Sequence, residues 1–60
     1  MATKEQSEKI DELIASGYSW DKEWSISAAG VVLKKSKDDF WFFGMHGEIM
    51  HNPNGDAIRV

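Results

Sequence analysis

The sequence predicts an α+β domain: one N-terminal helix packed on a four- to five-stranded antiparallel meander. Three observations lead there. Ile10, Leu13 and Ile14 recur at helical spacing inside an otherwise charged opening segment. From residue 23 onward the chain breaks into short apolar or alternating segments separated by Gly, Asn, Asp and Ser. One of those segments, Phe40-Trp41-Phe42-Phe43, is a run of aromatics that no other stretch of the chain matches in apolar area. At 60 residues this is a single domain, with the helix over 3–16 and the meander over 23–60. A chain this short buries only about 60% of the surface its unfolded form exposes. Per-residue averages put its stability at roughly 3–9 kcal/mol.

The helix begins at Thr3. Thr3 and Gln6 have capping-box spacing, a hydroxyl before the first turn and an amide three residues on. Lys4, Glu5, Glu8, Lys9, Asp11 and Glu12 cover the face away from the apolar stripe. Gly17 follows the last apolar turn and suits a left-handed C-terminal position. Tyr18 and Trp20 then lie in a connection, placed to pin the helix to the sheet. Trp24, Ile26 and Ala28 alternate with Ser25 and Ser27 and read as the first strand. Val31–Lys35 is the second, the aromatic run the third, and Glu48–Asn52 the fourth. Asn54-Gly55 is a strong two-residue hairpin signal, and Ala57–Val60 would follow it as a fifth strand.

Two-residue turns at Ala29-Gly30, Lys37-Asp38, His46-Gly47 and Asn54-Gly55 fix a register. Leu33 then stands opposite Phe42, and Phe42 opposite His51. Opposed residues share a face. One face collects Trp24, Ile26, Ala28, Val31, Leu33, Phe40, Phe42, Ile49, Ile58 and Val60, a core for the helix to cover. The other collects Val32, Lys34, Trp41, Phe43, Met45, Met50 and Arg59. An apolar centre with a charged rim is the anatomy of a contact surface. That second face is the expected partner-binding site, with a second copy or a different protein on it. Closure of the sheet into a small barrel, or folding of the Trp20 loop over this face, would make it a second core instead.

The functional expectation is a small acidic non-catalytic binding module, adaptor- or inhibitor-like, that self-associates as a homodimer. The alternative is a binder of single-stranded nucleic acid or a small ligand through the same face, because Lys34, Lys35 and Lys37 accompany Trp41. A net charge of −3, from seven Lys and Arg against ten Asp and Glu, opposes a general hold on nucleic acid. There is no cysteine, hence neither disulfide nor thiolate metal site. The residues after Met1 show no apolar leader and no segment reaches membrane-span length, so a cytoplasmic protein off the membrane is expected.

No cofactor or metal is expected. His46, Glu48 and His51 have metal-ligating side chains, but Glu48 and His51 differ by an odd number along a strand and point to opposite faces. Asn52, Asn54 and Asp56 imitate the alternation of a calcium loop without the acidic residue that closes one. Gly44 and Gly47 lack the Lys-Ser or Lys-Thr of a phosphate loop. Asp38 and Asp39 read as turn residues, and no nucleophile–base–orienter set is legible.

Overall fold

The computed structural model describes residues 2–23, 25 and 30–54. In order they form α1 (Lys4–Ala15), β1 (Ser19–Trp20), β2 (Val31–Ser36), β3 (Asp39–Phe43) and β4 (Ile49–His51). The strands make one antiparallel sheet in the order β1-β2-β3-β4, open rather than closed into a barrel. This is the expected helix-plus-meander. The Asn54-Gly55 hairpin and the strand over 57–60 lie outside the described residues, as do Trp24, Ile26 and Ala28.

Both ends of α1 are built by the residues that announce them. The Thr3 hydroxyl accepts from Gln6 N–H at 3.1 Å, and the Gln6 side chain accepts from Thr3 N–H at 2.9 Å. At the other end Gly17 takes φ +105°. Tyr18 N–H then reaches Leu13 O at 3.0 Å, and Gly17 N–H reaches Ile14 O at 3.1 Å. That pair of bonds is a Schellman closure, and Tyr18 packs against Leu13 as such closures favour. Leu13 is the buried residue of the stripe; Ile14 remains half exposed.

The first strand departs from expectation. Ser19-Trp20 pairs with Lys34-Leu33, while Lys22, Glu23 and Ser25 are helical. The reason lies in Ser25. Asp21 N–H donates to Val32 O, but the reciprocal bond is relayed: Val32 N–H donates to Ser25 Oγ, which donates to Asp21 O. A hydroxyl inserted between the strands ends the ladder there.

The aromatic strand also departs from expectation. The turn at Lys37-Asp38 forms as expected, with Ser36 opposite Asp39. Between Lys34 and Ser36 the register shifts by one, leaving Lys35 as the extra residue of a β-bulge. Leu33 therefore faces Trp41 and Val32 faces Phe42. A slip of one residue turns a whole strand over. Trp41 and Phe43 go under the helix with Leu13, Leu33, Ile10, Tyr18 and Val31. Phe40 and Phe42 go to the far face with Val32 and Met50. The expected burial of Phe42 beneath Ile10 and Leu13 is thus reversed, and Ile58 lies outside the described residues.

A second shift undoes the first. The β3–β4 loop is Met45-His46-Gly47, one residue longer than the expected turn. Gly44 N–H donates to Glu48 O at 3.0 Å, Gly47 N–H to Gly44 O at 3.3 Å, and Gly47 has φ +88°. This is the three-residue hairpin whose last position wants glycine. Phe42 consequently faces Met50 rather than His51, and β4 keeps the faces assigned to it from sequence.

The far face is a core in its own right. Val32 and Phe42 are 1% and 5% exposed. Gly30 lies so close that an added Cβ would sit 2.5 Å from Phe43 O and 2.9 Å from the Phe42 ring.

Candidate functional site

The residues expected to form one exposed patch are dispersed. Val32 and Phe43 are buried, on opposite faces of the sheet. Trp41 is half-buried under the helix. Met50 is half-buried beside Val32 and Phe42. Met45 stands out in the β3–β4 loop, 67% exposed, and Lys34 is exposed on β2. Arg59 lies outside the described residues. The exposed aromatic sheet face is therefore replaced by two packed faces, because the bulge at Lys35 exchanges the sides of β3.

Trp41 instead belongs to a polar network along the helix side. The His51 ring stacks on it with centroids 4.3 Å apart and planes 16° from parallel. Lys9 Nζ lies 4.7 Å from the Trp41 ring centroid. Asp39 Oδ1 accepts the Tyr18 hydroxyl at 2.7 Å and His51 Nε2 at 3.1 Å. Two donors on one carboxylate oxygen favour its charged form, so Asp39 is held below the usual carboxylate range, first by Tyr18 and then by His51. The same bond, joined by partial burial, raises Tyr18 above the usual phenol value. The Trp41 indole N–H bears on the Tyr18 oxygen enough to oppose that rise, yet it is buried without a properly formed hydrogen bond. Lys35, the bulge residue, sits 5.4 Å from the Tyr18 ring centroid. The network thus joins the ends of β3 and β4 to the residue after the helix. Trp41 is flanked by His51 and Lys9, while Lys34 and Lys35, expected beside it, line the groove at Trp20.

Among the described residues no group of three His, Asp or Glu is placed to hold a metal ion. Glu48 Oε1 accepts from His46 N–H at 2.9 Å and so belongs to the hairpin loop. Asn52, at φ +49°, exchanges bonds with Phe40: its N–H donates to Phe40 O and its side-chain oxygen accepts Phe40 N–H, both at 2.9 Å. Asp56 lies outside the described residues.

What emerges as an exposed aromatic is Trp20, which the sequence placed as a pin between helix and sheet. It is 56% exposed on the edge strand β1. Its indole N–H donates to Ser25 Oγ at 2.9 Å. Ser25 is itself 4% exposed and anchored to Val32 N–H and Asp21 O, so its one donor and both acceptor positions are used. Lys22 Nζ stands 5.5 Å from the Trp20 ring centroid. An open groove of about 450 Å³ runs past it, lined by Ser19, Trp20, Asp21, Lys22, Glu23, Lys34 and Lys35. The alternation of Trp24, Ile26 and Ala28 concealed this site by drawing the first strand too late in the chain.

A second device was also missed. Gln6 is 1% exposed. Its Nε2 donates to Gly44 O at 2.7 Å and to Glu48 O at 2.9 Å. The capping-box glutamine thereby clasps the helix to the β3–β4 hairpin, for which its spacing gave no signal. Comparison with protein-family models, with curated proteins and with solved structures finds no match. Among the described residues no helix is long and apolar enough to cross a membrane.

Proposed function

We propose that this chain is a small non-catalytic protein-binding module whose contact surface is centred on Trp20. The observation that carries the reading is an exposed indole held in one orientation by a buried serine. A large aromatic side chain that is already ordered loses little entropy when a partner covers it, and tryptophan is the residue type most enriched among contacts that dominate binding. The edge of β1 adds open backbone beside it, and Lys22, Lys34 and Lys35 with Asp21 and Glu23 give a charged rim. The test compares immobilised wild type with Trp20→Ser, after confirming that both melt alike. Proteins retained by wild type and lost with Trp20→Ser support the reading; indistinguishable retention refutes it.

Single-stranded nucleic acid is the second reading. It moves with the tryptophan: Trp20 beside three lysines is now the basic-aromatic combination, in place of Trp41. Asp21 and Glu23 in the same lining, and the overall charge of −3, weigh against it.

A further inference from the structure

Among the described residues the sheet ends at β1, and the backbone there has a definite polarity. Asp21 N–H points inward to Val32 O. Inward- and outward-pointing residues alternate along an antiparallel strand. The N–H and C=O of Trp20 therefore point away from β2, and among the described residues no strand lies beyond them. An edge presenting one residue's donor and acceptor, with the same residue's exposed indole beside it, is suited to a partner that presents the same pair in return. Antiparallel pairing about a twofold axis at Trp20 does this: each Trp20 exchanges two backbone bonds with the other.

The register that follows can be read across both copies. Ser19 of one copy faces Asp21 of the other. Because Ser19 pairs with Lys34, and Asp21 bonds to Val32, one row runs Lys34, Ser19, then Asp21 and Val32 of the second copy. Residues in a row share a face. Each Asp21 carboxylate then meets the row that ends in the other copy's Lys34 ammonium, twice by symmetry. The adjacent row runs Leu33, Trp20, then Trp20 and Leu33 of the second copy, an apolar row continued through the axis. Opposite charges thus fall on a shared row, and the exposed indoles meet. We infer that the partner of the Trp20 edge is a second copy of this chain, joined strand to strand through β1 in an isologous dimer. The inference rests on the protein-binding reading above and names its partner. A two-residue strand buries less than a standard interface, so the dimer is weak and exchanges rapidly.

The absence of cysteine makes a clean test. In the proposed register residues 19 and 21 of different copies face each other with Cα atoms about 4.5 Å apart, within disulfide range. Ser19→Cys and Asp21→Cys variants are prepared separately, checked for wild-type melts, mixed and oxidised mildly. The expected result is a mixed disulfide, joining position 19 of one variant to position 21 of the other, that forms at least tenfold faster than either variant links to itself. Adding Trp20→Ser to both chains should abolish the preference. Alongside, sedimentation of the unmodified chain from ~10 μM to ~1 mM should show a weight-average mass that rises with concentration, and a Trp20→Ser chain that does not rise. A wild type that stays monomeric over that range, or dimers with no mixed-disulfide preference, overturns the inference. In either case, retention of another protein that depends on Trp20 leaves the broader binding reading standing, and no such retention removes both.

Discussion

Replacing Gln6 tests the link between helix and hairpin. Three hydrogen bonds end on its side chain: Thr3 N–H to Oε1, and Nε2 to the carbonyls of Gly44 and Glu48. Only one orientation of the amide satisfies two acceptors and one donor together. Each such bond contributes about 1 kcal/mol net, and one buried methylene adds about 0.8 kcal/mol. Against that sum, the Gly44 and Glu48 carbonyls keep their turn partners, Gly47 N–H and Gly44 N–H, and Glu48 is open to water. Alanine also gains a few tenths of a kcal/mol in helix propensity. Gln6→Ala should therefore cost about 2–3 kcal/mol, which at this chain length lowers the melting temperature by roughly 10–20 °C. Urea unfolding followed by tryptophan fluorescence measures it. Gln6→Glu is the sharper variant. Its carboxylate can still accept from Thr3 but faces two carbonyl oxygens with no proton to give. It should be at least as destabilising as alanine at neutral pH. Burial and the carbonyls raise its folded pKa, so its deficit should shrink as pH falls and the acid regains an O–H donor. A Gln6→Ala protein within about 0.5 kcal/mol of wild type would refute the clasp, leaving Gln6 a surface-like residue in energetic terms.

The Tyr18–Asp39–His51 network sets a pH window. Asp39 is depressed, so its contribution is present above the ordinary aspartate value near 4 and is lost as pH falls through its folded value. Tyr18 is raised, so its contribution is present below the ordinary tyrosine value near 10 and is lost as pH rises through its folded value. The melting-temperature gap between wild type and Asp39→Asn should be widest between those limits and narrow toward both ends; a gap independent of pH would contradict this. Gly30→Ala should destabilise by about 1–3 kcal/mol, because the new Cβ meets the rigid Phe43 carbonyl and not a yielding side chain; an unchanged urea midpoint would show that the backbone gives way. Titration with a short oligonucleotide should give no binding near physiological salt, whereas micromolar affinity that falls steeply with salt would favour the nucleic-acid reading at Trp20.

The sequence yielded its fold where local chemistry decides local structure. Thr3, Gln6 and Gly17 mark the two ends of α1, and each plays the part its residue type implies. The turn at Lys37-Asp38 is likewise where composition put it. What stayed hidden depends on single residues acting at a distance. Ser25 reads as an ordinary alternating position, yet its hydroxyl ends the β1–β2 ladder and fixes Trp20. Tyr18, Asp39 and His51 are separated along the chain and meet only once the strands are in register.

The aromatic run shows why register was the point of failure. Apolar patterning ordinarily selects a register, because a one-residue slip exposes what should be buried. Phe40-Trp41-Phe42-Phe43 is apolar on both sides, so patterning within β3 cannot tell its two faces apart. The choice passes to its neighbours. The bulge at Lys35 shifts β3 one way, and the longer loop at Met45-Gly47 shifts β4 back. Each irregularity alone would place one flanking strand out of phase; together they leave β2 and β4 on the faces their own sequences favour and turn over only the strand that tolerates either. The consequence bears on the proposed contact surface as well as on the packing. Trp41 and Phe43, which would be a contact surface in the unbulged register, close the helix-side core, and Phe42 with Val32 closes the other. With both sides of the aromatic strand packed, the exposed aromatic left in the described structure is Trp20 at the sheet edge. In the proposed reading, recognition moves from a face, where side chains alone would mediate it, to an edge, where backbone hydrogen bonds also set direction and register.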